Sequence, residues 1–227
     1  MRFLHLLIAP MVVFGTYAAD NSLQATLARM DSAAAKYKGM RADIARVAHI
    51  DAINDNTVEN GKVAVRRPSS KELRMLIVTD PPNERKVLIT PNKAEIYYPK
   101  TNTVEEYDFG KTSNMTDELL LLSFGSTSKE LMTGYSVQVG PAETVAGQKT
   151  TRLDLVPKAK KLLTVYPKIQ LWISDDTGIT VQQKLTEPNG KDYNQATYSN
   201  IQLANVSDAD LKLNIPGNAR RENPLKR

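Results

Sequence analysis

From Met40 to the C-terminal third of the chain, apolar residues recur at every second position in short runs, and the breaks between the runs carry turn chemistry. Period two is the signature of strands with one buried face. Met40, Ala42, Ile44, Ala48 and Ile50 share one face of the first run, with Arg46 as the exception. Further runs span Glu59 to Arg67, Glu72 to Thr79, Arg85 to Thr90, Ala94 to Tyr98 and Thr103 to Phe109. The series resumes at Tyr135 to Gly140, Thr150 to Val156, Lys168 to Ser174, Ile179 to Glu187, Asp192 to Leu203 and Leu211 to Ile215. Breaks such as Asp80-Pro81-Pro82-Asn83, Asp175-Asp176-Thr177-Gly178 and Pro188-Asn189-Gly190 favour tight reversals. No stretch alternates strand with helix as a parallel sheet requires. The pattern predicts one highly curved antiparallel sheet of about eleven or twelve strands, an unclosed β-barrel.

Two helical segments interrupt this meander. Leu23, Leu27, Met30 and Ala34 recur at helical spacing, Asn21 or Ser22 can cap the helix, and Gly39 can stop it, which predicts a helix from Leu23 to Lys38. In mid-chain, Asn114 or Thr116 can cap a helix through Leu119, Leu120, Leu121, Leu122 and Phe124, closed by Gly125. Thr127-Ser128-Lys129-Glu130 then reads as a capping box for a second short turn. A helix with four consecutive leucines is apolar nearly all round and must be buried or cover an apolar surface. The expected class is therefore α+β, mostly β, with the N-terminal helix and a leucine-rich lid on the concave face.

Residues 1–18 carry Arg2 followed by an apolar stretch too short to span a bilayer, and Thr16-Tyr17-Ala18 presents small residues at a peptidase site. They are expected to be a cleaved export signal. Residues 19–217 are expected to form one domain, and the basic tail, residues 218–227, to be disordered. Apolar residues make up 41% of the chain, and there is no cysteine, so the fold must be held by packing in an oxidising compartment. The net charge of +5 is spread over 30 basic and 25 acidic residues, which argues against nucleic-acid binding.

Catalytic chemistry finds little to use. His49 is the one histidine beyond the export signal, and there is no thiol for nucleophilic attack or metal ligation. Asp175 and Asp176 sit where carboxylates serve a turn, and no Gly-rich phosphate loop appears. The expectation is a protein without enzymatic activity, cofactor or metal.

The stretch Glu59-Asn60-Gly61-Lys62-Val63-Ala64-Val65-Arg66-Arg67-Pro68 resembles the strand and Arg-Pro turn of the periplasmic outer-membrane lipoprotein carrier family, LolA and its relative LolB. Other elements follow in the family's order. Glu95-Ile96-Tyr97-Tyr98-Pro99 precedes the leucine-rich helix, and Val145-Ala146-Gly147 leads into Arg152-Leu153-Asp154-Leu155-Val156-Pro157. Tyr198-Ser199-Asn200-Ile201-Gln202-Leu203 is followed by Leu211-Lys212-Leu213-Asn214-Ile215-Pro216. Ser69, Ser70, Lys71 and Glu72 stand where the family often has aromatic residues after the Arg-Pro turn. The resemblance implies a soluble, monomeric periplasmic carrier that shields the acyl chains of lipoproteins between an inner-membrane donor complex and an outer-membrane acceptor. Free-lipid binding and lipoprotein sensing through a protein partner are alternatives on the same fold.

In the family the arginine of the Arg-Pro turn holds the lid shut from inside the barrel, and Arg67 matches it. Period two independently places Arg67 on one face with Val63 and Val65, although an arginine at a strand end can also snorkel to solvent. The candidate acyl-chain groove comprises Met40, Ile44, Val63, Val65, Leu73, Met75 and Ile77, with Leu120, Leu121 and Phe124 from the lid. Met30, Met115 and Met132 are further thioether candidates. The same residue types would build an ordinary core. Lys158, Lys160, Lys161 and Lys168, around Leu162, Leu163 and Val165, are expected on a solvated hairpin loop, the alternative being a patch that docks an anionic membrane surface or a partner.

Overall fold

The computed structural model describes residues 22–69, 72–108, 122 and 124–224. Helix α1 (Leu23–Lys36) opens the domain, its first turn capped by the Ser22 side chain, which accepts from Ala25 N–H. It stops two residues earlier than the spacing predicts. Tyr37 turns extended and drops its ring into the core, and Gly39, read from sequence as a helix stop, is the first residue of a strand.

Strands follow in one meander: β1 (Gly39–Ile50), β2 (Asp55–Ser69), β3 (Glu72–Thr79), β4 (Arg85–Thr90), β5 (Lys93–Tyr98) and β6 (Thr103–Asp108). After the mid-chain segment come α2 (Ser128–Gly134), β7 (Tyr135–Val145), β8 (Gln148–Pro157), α3 (Lys160–Val165), β9 (Lys168–Ser174), β10 (Thr180–Thr186), β11 (Tyr193–Leu203) and β12 (Arg220–Glu222). All these strands join one sheet in the order β12-β6-β5-β4-β3-β2-β1-β11-β10-β9-β8-β7. The edges β12 and β7 are not paired with each other, so the barrel is unclosed. Every pairing is antiparallel except β12 with β6.

Three local expectations are revised. The tail is not free of structure in residues 220–222. Its polar side chains cannot pack, but backbone pairing to the β6 edge needs no apolar face, and Arg221 adds an ion pair to Glu95 at 3.2 Å. Residues 211–215 form no strand. Asp210 folds back on Ser207, accepting from its N–H at 2.8 Å, and Leu211 serves instead as a buried plug. The lysine-rich segment after Pro157 contains a short helix, α3, whose Leu162 is buried while Lys158, Lys160, Lys161 and Lys168 stay exposed.

Two apolar clusters lie on the concave side. One, beneath β7 to β10, joins Met30, Leu122, Leu131, Leu153, Leu155, Leu162, Ile169, Leu171 and Ile173. The other, beneath β1 to β3 and β11, is the region of the predicted groove.

Helix α1 is fastened across both. Arg29 pairs with Asp175 at 3.1 Å, and Asp175 also accepts from Thr151 Oγ1 at 2.7 Å, so a carboxylate of the β9–β10 turn serves as a tether. Beside it Gly178 has φ +70°, and a Cβ there would lie 2.3 Å from the Arg29 carbonyl oxygen. Gly178→Ala is expected to lower stability by about 2 kcal/mol or more, through strain at φ > 0 and loss of α1 docking. A urea unfolding midpoint equal to wild type would contradict this close fit.

Candidate functional site

Strand β2 sets up the site. Its inward row is Gly61, Val63, Val65 and Arg67, all buried, while Lys62 points to solvent. Pro68 has no N–H to give the ladder, and the register with β3 jumps between Arg66↔Arg74 and Ser69↔Glu72. Arg67 sits at this irregularity, with its own N–H donating to Lys38 O at 3.2 Å. The side chain enters the barrel, and the residue is only 9% exposed.

Inside, the guanidinium is met by the segment that follows the leucine run. Arg67 Nη1 donates to the Phe124 carbonyl at 3.1 Å and also to the Gly125 carbonyl. Nη2 donates to Glu130 Oε1 at 2.8 Å. Glu130 serves twice, because its Oε2 accepts from Thr127 N–H at 2.9 Å and completes the capping box of α2. One arginine therefore ties β2 both to backbone beside Phe124 and to the first turn of α2. The chain passes this point only because residue 125 is glycine: φ is +71°, and a Cβ would stand 2.8 Å from the Tyr37 ring.

Beneath this clamp, Met40, Ile44, Val63, Val65, Leu73, Met75, Ile77 and Phe124 belong to one buried cluster, each 9% exposed or less. Leu120, Leu121 and Met115 lie outside the described residues. Phe124 meets Tyr198 edge-on, with ring centroids 5.4 Å apart. Met30 belongs to the other cluster, and Met132 is 42% exposed, so neither is brought to the groove.

The sequence reading missed Tyr37, Tyr198, Ile179 and Ala33 as members of this cluster, and Glu130 as partner of Arg67. Their signals were weak for different reasons. Tyr37 was read as part of the helix predicted to reach Lys38, and Glu130 was absorbed by its capping motif. His49 stacks on Tyr193 at 4.9 Å, and its Nδ1 lies 2.9 Å from Asn56 Oδ1, at an exposed site on β1.

Tyr37 also brings a polar group into the cluster. Its hydroxyl is buried without a hydrogen-bond partner among the described residues, and burial, with Tyr198 nearby, pushes the phenol well above its ordinary value while Arg67 opposes the shift. A buried hydroxyl left unpaired costs about 1–3 kcal/mol.

No protein-family model matches the chain, and no curated protein is similar to it in sequence. Solved structures do resemble its fold. An uncharacterized conserved protein from Thermus thermophilus aligns over 88% of this chain and 98% of its own, with 13% identity and a TM-score of 0.53. MucB aligns over 87% of this chain at 14% identity and a TM-score of 0.52. The chain spans just under two thirds, 64%, of MucB's length. A LolA superfamily protein from Nitrosomonas europaea is similar over 84% of this chain and 97% of its own, at 10% identity and a TM-score of 0.40. The fold is an unclosed β-barrel, shared in outline with MucB and the Thermus thermophilus protein.

Two outcomes follow for stability. Tyr37→Phe should raise stability by about 1 kcal/mol, because it removes an unpaired hydroxyl and keeps the ring. A clear loss on urea unfolding would show that the hydroxyl has a partner in solution. Arg67→Leu and Glu130→Gln should be coupled by about 1 kcal/mol or more in a double-mutant cycle. Additive losses would mean that the pair does not hold β2 to α2.

Proposed function

We propose that the chain is a periplasmic carrier that binds the acyl chains of lipoproteins in the groove under the lid and ferries them toward the outer membrane. It acts as a monomer and without catalysis, receiving cargo from an inner-membrane donor complex and passing it to an outer-membrane acceptor. The observation that carries this reading is the Arg67 clamp over a cluster of apolar side chains from β1, β2, β3 and the lid. Its physical sense lies in release. Each buried CH₂ contributes about 0.8 kcal/mol, so two or three sequestered acyl chains would be held by gross tens of kcal/mol. A carrier that only bound would never unload. In the closed state Phe124 and its neighbours occupy the apolar surface that cargo would cover, and the Arg67 bonds stabilise that state, so closing competes with holding.

The test is transfer. With purified protein loaded with a triacylated lipoprotein, Arg67→Leu should keep its cargo and hand it to acceptor vesicles roughly tenfold more slowly, or worse, since lost charge-assisted bonds amount to about 1.5–3 kcal/mol. Unchanged transfer would sink the latch. Mass spectrometry of protein purified from its native envelope without detergent should find triacylated lipoprotein bound stoichiometrically. Free lipid in its place would turn the reading to lipid binding, and a protein partner bound equally well with the groove blocked would turn it to sensing.

A further inference from the structure

The concave face does not end with the apolar cluster. Two residues beyond Ile44 the inward position on β1 is Arg46, and two residues before Gly61 on β2 it is Glu59, directly across from Arg46. With Arg85 of β4, Leu185 of β10 and Asn194 of β11, they line a cavity of about 330 Å³. The cavity adjoins the cluster, because Ala196 lines the one and packs against the other. Its charges do not cancel. Arg85 grips Glu59 with both arms, Nη1 to Oε1 at 2.6 Å and Nη2 to Oε2 at 2.5 Å. These bonds hold the Glu59 carboxyl below its ordinary range despite partial burial, so it stays ionised. Arg46 Nη1 stands 3.6 Å from the same Oε2, beyond hydrogen-bond reach, and its side chain is 40% exposed. Two guanidinium groups therefore share one carboxylate, and among the described residues no other acid lines the cavity.

We propose that this cavity seats the anionic head of a lipid, a carboxylate or a phosphate, on Arg46, with the chain running along the inward row of β2 toward Phe124. The proposal rests on the carrier reading and narrows its cargo to amphiphiles with a negative head or a negative group next to the acyl anchor. Arg46 has the planar fork that pairs with both anion types, and a carboxylate already committed to Arg85 leaves that fork available. The dimensions agree. Glu59 to Arg67 is eight residues, about 26 Å at ~3.3 Å per residue, whereas the chains of one leaflet span about half of a ~30 Å hydrocarbon core. A head held at Arg46, opposite Glu59, thus lets a membrane-length chain of about 15 Å cover Gly61 and Val63 without reaching the clamp.

The experiment compares three ligands with the same oleoyl chain, all below their micellar concentrations: oleate, lysophosphatidic acid and neutral monoolein. Titrated into the full mature protein, at least one anionic ligand should bind about tenfold or more tightly than monoolein, the advantage of a charge-assisted bond. Arg46→Gln should remove that advantage and leave monoolein affinity unchanged, while Arg46→Lys should retain most of it. Preference for oleate would assign a carboxylate site, and preference for lysophosphatidic acid a phosphate site. Monoolein bound as tightly as both anions, or an Arg46→Gln loss equal for all three ligands, overturns the site while leaving the carrier reading standing. If the wild type binds none of the three, both fall.

Discussion

A guanidinium buried at the end of an apolar row has to find acceptors, and in this fold the acceptors lie on the segments that cover the sheet's concave face. Arg67 takes the carbonyls of Phe124 and Gly125 and the carboxylate of Glu130. Val63 and Val65, the inward residues before it on β2, could not do this, because they offer only dispersion and area. The directional bonds fix where the chain after the leucine run crosses the barrel. Phe124 is then placed over Tyr198, Gly125 against the Tyr37 ring and Thr127 at the start of α2. Leaving those donors buried without partners would cost several kcal/mol, so the clamp is present as a unit or not at all.

The two apolar clusters then divide the labour. The one beneath β7 to β10 holds α1, Leu122 and the buried faces of α2 and α3, and its strand residues Leu153, Leu155, Ile169, Leu171 and Ile173 are fully enclosed. It is a fixed core. The one beneath β1 to β3 is closed largely by Phe124 and Tyr37. Its cover comes from segments fastened by Arg67 and by the Arg29–Asp175 tether rather than by continuous sheet. Losing the Arg67 bonds would loosen the cover of the second cluster while the strand pairings over the first stay in place, an asymmetry that suits the proposed groove.

Most of the sheet was legible because its physics is local: alternation, turn residues and Pro or Gly breaks each act within a few positions. The face of Val63, Val65 and Arg67 followed from the same period. What escaped the sequence was non-local. Nothing near Glu130 signals that an arginine 63 residues away shares its carboxylate, and nothing near Tyr37 signals that it faces Gly125. Groove and core also use the same apolar alphabet, so Met30 and Met40 could not be assigned to different clusters until the strand order was known. The tail misled for a related reason, since backbone pairing at an open edge leaves no mark in side-chain hydrophobicity.

If the protein is the carrier proposed above, its closed state has to open, and Tyr37 bears on that balance. The aliphatic members of its cluster gain from closure, while its hydroxyl loses water without receiving a partner among the described residues. That penalty, about 1–3 kcal/mol, is of the same order as the charge-assisted bonds Arg67 makes and opposite in sign. The Arg67 bond and the Tyr37 ring both meet the chain at Gly125. In the carrier proposed above, opposing terms of this order would keep closed and open forms close enough in free energy for a modest differential affinity for cargo or acceptor to decide between them.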